Sequence, residues 1–313
     1  MKLVRDDVRL YLITGFLGAG KTTFLKNFIR LFAGQKIQLI VNEFGREGVD
    51  GALLADLGAF LQEISGGSVF CSCRMDQFEK VLAESAHLQA DVILVEASGL
   101  SDPTGVRKLF TRTDRFSHIQ YMGSVCLVDA VRFPKLYATA RTCVRQLAVS
   151  DVAVINKTDL ATEQQLAATR AIIVGQRPDM PIVETSFGRI DSHILTFLEQ
   201  ASAGAAEDMP LIADLTLKKR IIRIRDSISA YELQKFIEMF IEATFRVKGF
   251  VKTREGLFLA DCVGNVVNLT PWEGEVPEDK QDFLVVLSGA GMPLHSRIRE
   301  AVGWYSRHIR SVE

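Results

Sequence analysis

The sequence predicts an α/β protein in which a mostly parallel sheet is flanked by helices and followed by a smaller α+β domain. Over the first two thirds of the chain, short β-branched runs alternate with longer amphipathic segments, as in β–α–β crossovers. After about residue 198 several short strands and two helices follow instead. The length of 313 residues suits about two domains of roughly 150 residues each. We expect a first domain at residues 1–200, a linker at 201–212 and a second domain at 213–313.

Short apolar runs predict the strands of the first domain. They cover residues 8–14, 38–41, 92–95, 124–128, 152–155 and 182–183. Between them, residues 21–32 place phenylalanines and other apolar side chains at helical spacing. Residues 164–174 predict another helix, with Thr162 as its N-cap.

The second domain is predicted from shorter, more mixed patterns. The expected strands cover residues 221–225, 249–252, 257–260, 266–269 and 283–287. Amphipathic spacing predicts helices at residues 231–243 and 293–305. About 100 residues suffice for an independent core of this kind.

Composition excludes several functional classes. The chain has 37 basic and 38 acidic residues, so neither a nucleic acid nor an anionic membrane surface is an expected partner. No apolar run approaches the roughly 18 residues of a membrane-spanning helix, and the charged N-terminus does not resemble a signal peptide. Five cysteines, an odd number, favour a reducing compartment over a disulfide framework. We therefore expect a cytoplasmic protein.

A glycine loop follows the first predicted strand and opens the first predicted helix. Its sequence, GFLGAGKT, matches the pattern G-x-x-x-x-G-K-[ST] in full. Backbone N–H groups in such a loop turn inward around a phosphate, and the helix N-terminus adds its positive dipole end. Lys21 can reach the β- and γ-phosphates of a nucleotide, and Thr22 offers a hydroxyl ligand to Mg²⁺. The predicted phosphate-binding residues are Gly15, Gly18, Ala19, Gly20, Lys21, Thr22 and Thr23.

The segment Asn156-Lys157-Thr158-Asp159 follows a late strand and predicts the choice of base. A carboxylate at Asp159 can accept from both N1–H and the exocyclic amine of guanine, whereas adenine has no such paired donors. Asn156 and Lys157 would hold this loop and pack on the base. A common polar turn is the alternative interpretation, but downstream of a complete phosphate loop the pattern favours GTP. Residues 185–188 predict a second loop on the guanine side.

Two acidic residues and a glycine near strand ends are predicted to surround the γ-phosphate. Glu96 ends an apolar strand and is placed to hold Mg²⁺ through a water, or else to serve as a helix-cap partner. Gly99 can donate its N–H to the γ-phosphate and act as a switch hinge. Glu43 follows the second strand and can contact Mg²⁺, the hydrolytic water or another metal. We predict Lys21, Glu43 and Glu96 as the catalytic residues.

Taken together, these motifs resemble those of the CobW-like P-loop GTPases. The matching segments are TGFLGAGKTT (residues 14–23), VNEFGREGVDGALL (41–54), VEASGLSDP (95–103), INKTDL (155–160) and FRVKGF (245–250). The resemblance implies a P-loop GTPase domain with a CobW-type C-terminal domain, Mg²⁺-dependent GTP hydrolysis and a role in metal or metallocofactor handling. It also implies a client metalloenzyme or cofactor-assembly protein as partner, and a homodimer in the GTP state.

One segment departs from the family pattern. Relatives usually carry G-G-C-x-C-C after the second strand, whereas here Ser68 and Phe70 replace the first two of those cysteines. Only Cys71 matches the pattern, and Cys73 is an extra thiol two residues later. Two thiols supply part of a tetrahedral shell that suits Zn²⁺ or Co²⁺. Glu43, Glu47, a partner subunit or a client would complete it. A packing role for both thiols is an equally weighted alternative.

Three functional hypotheses remain. The first is a GTPase that delivers a metal or metallocofactor. The second is a GTP-dependent protein that acts on a client enzyme and binds no metal itself, which the altered cysteine pattern favours. The third is a P-loop ATPase or kinase, which Asp159 disfavours because a carboxylate there selects guanine.

Overall fold

The computed structural model describes most of both predicted domains. The described residues are 7–41, 59–63, 75–88, 90–99, 103, 109–110, 116, 118–202, 218–225, 227–264, 266–289 and 291–313. The chain divides into two compact units, Met1–Asp214 and Leu215–Glu313. Glu43, Glu47 and the whole segment 64–74, with Cys71 and Cys73, lie outside the described residues, as does most of the predicted linker.

The first unit is built on a seven-stranded sheet with the order β3-β2-β4-β1-β5-β6-β7, and all of its strand pairs are parallel. The strands are β1 (Val8–Gly15), β2 (Ile37–Val41), β3 (Ala59–Glu63), β4 (Val92–Glu96), β5 (Ile119–Asp129), β6 (Val152–Asn156) and β7 (Ile182–Glu184). The helices are α1 (Lys21–Ile29), α2 (Met75–Leu88), α3 (Phe133–Thr139), α4 (Arg141–Ala148), α5 (Glu163–Gln176) and α6 (His193–Ser202). The predicted α/β class with a mostly parallel sheet is confirmed.

Alternate side chains of β1 serve two apolar layers, because successive residues of a strand point to opposite faces of the sheet. Leu10 and Leu12 belong to the layer that contains Phe78 and Leu82 of α2. Tyr11 and Ile13 belong to the opposite layer, with α1 and α6. Burial on both faces explains why β1 reads as a continuous apolar run.

Stacked aromatic side chains fix α1 against the sheet. The rings of Phe24 and Phe28 lie 5.3 Å apart, and Phe28 meets Tyr11 edge to face at 5.6 Å. All three side chains are buried. The predicted helix at residues 21–32 changes to a 3₁₀ turn at Arg30–Phe32, so the α-helix ends at Ile29. The phosphate-side end of α1 is therefore held on a rigid apolar support.

The second unit is a six-stranded sheet with the order β11-β10-β9-β12-β8-β13, and its strand pairs are antiparallel. The strands are β8 (Lys218–Ile224), β9 (Arg246–Thr253), β10 (Gly256–Val263), β11 (Leu269–Pro271), β12 (Phe283–Ser288) and β13 (Ile309–Val312). The helices are α7 (Ala230–Glu238) and α8 (Leu294–Trp304), and both pack into one apolar core with inward residues of the sheet. Among the described residues, no helix combines the length and apolar character needed to cross a membrane.

Several element predictions were wrong in detail. The strand predicted at residues 266–269 begins at Leu269 instead, because the chain turns at Gly264 (φ 69°) and Val266 forms a lone bridge with Val263. The helix predicted at 231–243 ends at Glu238 and resumes as a 3₁₀ turn at Ile241–Ala243. Residues 201 and 202, placed in the linker, belong to α6. Strands β3 and β13 were not predicted.

A carboxylate at the start of α7 organises the second unit. Glu232 completes a capping box, since its carboxylate accepts from the backbone N–H of Ser229 at 2.9 Å while the Ser229 hydroxyl accepts from the Glu232 N–H at 3.2 Å. Arg254 and Arg307 donate to the same carboxylate, each at 2.9 Å. The hydrogen bond from the Ser229 backbone lowers the pKa of Glu232 to about 2, together with donation by the Ser229 hydroxyl, a hydrogen bond from Arg307 and the charge of Arg254.

The depressed pKa predicts acid-dependent stability of the second unit. An unfolded glutamate has a pKa of about 4.5, so the stabilisation by Glu232 is present above that pH and is lost as the pH falls toward about 2. Glu232→Gln should remove this part of the pH dependence. Both tryptophans of the chain, Trp272 and Trp304, lie in the second unit, so urea unfolding followed by tryptophan fluorescence at several pH values reports on it. Identical pH dependence in the two proteins would contradict the assignment.

Candidate nucleotide-binding site

The predicted site residues gather at one edge of the parallel sheet. The glycine loop follows β1, Glu96 ends β4, and Asn156 ends β6. Strand register places Ile13 beside Glu96 and Asp129 beside Asn156. Ligands of open parallel sheets bind at this carboxyl edge, where the loops after neighbouring strands meet.

The glycine loop leaves no space for side chains at its two ends. Gly15 has φ 136°, and a Cβ added there would lie 2.4 Å from the Leu127 carbonyl oxygen. Gly20 has φ 97°, and a Cβ there would lie 2.3 Å from Nδ2 of Asn156. Both conformations and both close approaches require glycine. The structure thus explains the two glycines at the ends of the predicted phosphate loop.

The first turn of α1 carries the predicted cation and hydroxyls. Lys21 is 8% exposed, and its Nζ donates to the Phe16 carbonyl within the loop at 3.4 Å. Thr22 is half-buried and Thr23 is exposed. The ammonium group of Lys21 therefore lies against the backbone of the glycine loop.

Asn156 connects the glycine loop to a second loop. Its Nδ2 donates to the Ala19 carbonyl at 3.0 Å, and its Oδ1 accepts from the Gly188 N–H at 3.0 Å. The side chain is buried, at 2% exposure. Because a carboxamide has both a donor and an acceptor, this one residue satisfies a backbone group on each side.

Lys157 is held by an acid that the sequence analysis did not single out. Its Nζ lies 2.8 Å from Oδ2 of Asp129, which is itself 4% exposed. Oδ1 of Asp129 accepts from the N–H groups of Val131 and Arg132 at 3.0 and 3.1 Å. Lys157 also has a left-handed backbone, with φ 61°. The position of Asp129 at the end of β5 is the signal that could have identified it.

Asp159 presents an exposed carboxylate on a loop that is tied to its neighbour. The Asp159 N–H donates to the Ser186 hydroxyl at 3.2 Å, and the Thr158 and Ser186 hydroxyls lie 2.9 Å apart. The predicted second loop at residues 185–188 therefore lies beside the predicted base reader. These contacts fix the backbone of Asp159 beside the second loop.

Asn27 of α1 also holds the second loop and was missed from the sequence. Its Nδ2 lies 3.0 Å from the Phe187 carbonyl and 2.9 Å from the Gly188 carbonyl. Gly188 packs so closely on α1 that a Cβ there would lie 2.7 Å from Cα of Phe24. Asn27 is one of several polar residues of α1, so the sequence offered no signal that set it apart.

Glu96 and Gly99 lie on the other side of the glycine loop. Glu96 is 4% exposed, and the next residue, Ala97, donates its N–H to the Ile13 carbonyl at 2.8 Å. A Cβ on Gly99 would lie 2.8 Å from the backbone nitrogen of Leu17, so this residue touches the loop directly. The structure therefore brings Glu96 and Gly99 to the loop that contains Lys21.

The buried cysteines have the properties of packing residues. Burial raises the pKa of the Cys126 thiol to about 12 and that of Cys262 to about 11. Cys143 is 1% exposed. Neutral buried thiols are poor metal ligands. Within the described ranges, no group of three or more His, Cys, Asp or Glu side chains is arranged to hold a metal ion.

The fold and the loop define a P-loop nucleotide-binding protein. The family model "CobW/HypB/UreG, nucleotide-binding domain" matches residues 9–184, more than half of the chain. The chain belongs to this family.

Two relatives are proteins of Escherichia coli (strain K12). Zinc chaperone YeiR is 33% identical over 196 residues, which cover 60% of this chain and 58% of that protein. Zinc chaperone YjiA is 30% identical over 202 residues, which cover 61% of each. The chain thus spans about three fifths of the length of these curated relatives. A crystal structure of Zn(II)-bound YjiA GTPase from E. coli aligns with 96% of this chain and 99% of that chain, at 20% identity and a TM-score of 0.49.

The bridging role of Asn156 predicts a loss of nucleotide affinity that is the same for a diphosphate and a triphosphate. Asn156→Ala leaves the Ala19 carbonyl and the Gly188 N–H without this partner, which costs about 1–3 kcal/mol for each buried group. Affinity for GTP and GDP should fall alike, by about 10- to 100-fold, in a titration with fluorescent nucleotides. Asn27→Ala, which frees the second loop from α1 alone, should have a smaller effect. Parent-like affinity in the Asn156 variant would contradict the bridging role.

Proposed function

We propose that this protein binds and hydrolyses GTP and couples the cycle to delivery of a metal ion, with zinc as the first candidate. The observation that carries the proposal is the Asn156 carboxamide, which joins the phosphate loop to the loop beside Asp159. A nucleotide that filled both loops would be held through its phosphates and its base together. The zinc-chaperone names of the two relatives from E. coli support the choice of metal.

Each described site residue has a role in this proposal. Backbone N–H groups of the glycine loop bind the phosphates, and Lys21 neutralises charge on the transferring phosphoryl group. Gly99, beside the loop, donates its N–H to the γ-phosphate. Asp159 reads guanine through its paired N–H donors.

The donor set also fits Mg²⁺, a hard cation that prefers oxygen ligands. Thr22 on the first turn of α1 and Glu96 at the end of β4 would hold it. When bound, Mg²⁺ neutralises charge on the β- and γ-phosphates. We assign Glu43, as a proposal from the sequence, to the attacking water or to a metal in the segment after β2.

The proposed cargo site involves the segment between β3 and α2, which contains Cys71 and Cys73. Backbone register pairs Val41, the end of β2, with both Glu63 and Glu96. The chain therefore leaves β3 at the same sheet edge as the glycine loop. This placement supports a coupling in which nucleotide state controls the two thiols.

The departure of residues 68 and 70 from the family pattern favours a second candidate function. In it, GTP binding and hydrolysis activate a client metalloenzyme or cofactor-assembly protein, and this chain holds no metal. In both versions we assign client binding or GTP-dependent homodimer formation to residues 213–313. A P-loop ATPase or kinase is the third and least favoured candidate.

The proposed role of Asp159 predicts that the protein prefers guanine nucleotides and that changing this carboxylate to an amide shifts the preference. Asp159→Asn should weaken GTP about 10- to 100-fold, because hydrogen bonds to a charged acceptor are worth about 1.5–3 kcal/mol. It should strengthen binding of xanthosine triphosphate, whose C2 carbonyl can accept from the new amide. Competition against a fluorescent GTP analogue measures both effects. Lys21→Ala is the control, because it should weaken all triphosphates alike, and equal ATP and GTP affinity in the parent would contradict the proposal.

The cargo proposal predicts thiolate ligation that depends on nucleotide and pH. Co²⁺ reports thiolate ligands through an intense near-ultraviolet charge-transfer band, which we expect in the parent with a GTP analogue. The band should weaken as pH falls, because protons compete for the thiolates. It should be absent from Cys71→Ser/Cys73→Ser and present in the control Cys143→Ala, which removes a buried thiol. No band in the parent with any nucleotide would favour the metal-free candidate.

A further inference from the structure

Gln146 makes a long-range contact to the predicted switch hinge. It lies on α4 and is 1% exposed. Its Nε2 donates to the carbonyl oxygen of Gly99 at 3.2 Å, across 47 residues of sequence. Gln146 also lines a small cavity with Phe16 and Leu17 of the glycine loop. Nothing in the sequence motifs assigns a role to this side chain.

The helix that carries Gln146 is firmly anchored. The Ser150 hydroxyl donates to the Gln146 carbonyl at 2.6 Å, and Nε2 of Gln176, at the end of α5, donates to the Val144 carbonyl at 2.8 Å. Asp151, just beyond α4, accepts from the backbone N–H of Ser124 at 2.8 Å and so fastens this connection to β5. A hydrogen bond from such a support can fix the group that it touches.

The backbone orientation of Gly99 depends on contacts with its neighbours. A glycine has no side chain to restrict its backbone, so its orientation depends on contacts made by its peptide groups. On one side Gly99 packs against Leu17, where a Cβ would lie 2.8 Å from the backbone nitrogen. On the other side its carbonyl is held by Gln146. Gly99 therefore contacts both the glycine loop and α4.

We propose that Gln146 is a positioning residue that holds Gly99 so that its N–H can meet the γ-phosphate. The proposal rests on the proposed function, in which Gly99 senses that phosphate. Gln146 contacts the Gly99 carbonyl, so we expect it to act through Gly99. Its contribution should therefore appear with GTP and be absent with GDP, which lacks the γ-phosphate.

A matched pair of variants separates positioning from general stability. Gln146→Met keeps the length of the side chain but removes the donor. Gln281→Met does the same for a glutamine of the second unit, whose Nε2 donates to the Val276 carbonyl and takes no part in anchoring α4. With full-length protein and Mg²⁺, we expect Gln146→Met to weaken a non-hydrolysable GTP analogue about tenfold. Its GDP affinity should stay within about twofold of the parent, and Gln281→Met should leave both affinities within that range.

Several outcomes would overturn the proposal. Equal losses for GDP and the GTP analogue in Gln146→Met would assign the side chain a structural role alone, and no loss for either would assign it none. A parent protein that binds neither nucleotide would instead refute the proposed function itself.

Hydrogen exchange in the parent chain tests the same link without substitution, should the variant fail to fold. Peptides that contain Gly99 and Gln146 should gain protection together with the GTP analogue and not with GDP. Protection of the α4 peptide that is identical in the two nucleotide states would count against the proposal.

Discussion

The carboxamide of Asn156 is the interaction on which the arrangement of the site depends. Its donor and its acceptor are both used, one on the loop after β1 and one on the loop after β7. An aspartate in its place would lose the donor to Ala19, and a side chain at Gly20 would collide with the amide. The requirement for glycine at position 20 and the requirement for an amide at position 156 are therefore one constraint expressed at two places in the sequence.

The other contacts of the site build on this bridge. Asn27 holds the second loop against α1, and hydroxyl contacts of Thr158 and Ser186 fix the backbone of Asp159. Asp129 holds Lys157 on the opposite side of the same loop. None of these side chains needs to touch a nucleotide to matter, because each sets the position of a predicted nucleotide-binding loop.

Local sequence patterns predicted the parts of the fold that local forces determine. The strands buried on both faces read as apolar runs, and the capping box at Thr162 marked the start of α5 one residue away from the predicted position. The glycine loop was predictable because its backbone conformation has few alternatives. The family pattern added FRVKGF, whose last five residues, 246–250, begin β9.

Contacts between distant segments were not predictable from one sequence. Asn27 meets Phe187 across 160 residues, and Lys157 meets Asp129 across 28. A polar residue in the sequence looks the same whether it faces solvent or contacts a segment far along the chain. Strands β3 and β13 were missed for a related reason: their short, mixed sequences become strands through pairing with β2 and β8.

The two apolar layers of the first unit share one strand, and this has a thermodynamic consequence. Leu10 and Leu12 of β1 serve one layer, and Tyr11 and Ile13 serve the other, while the end of β1 continues directly into the glycine loop. Separation of either layer from β1 would therefore disturb the loop. A ligand held by that loop binds only the folded unit. Raising the ligand concentration therefore raises the melting temperature of the whole sheet by mass action. Folding of the first unit and ligand binding to its loop are therefore thermodynamically linked.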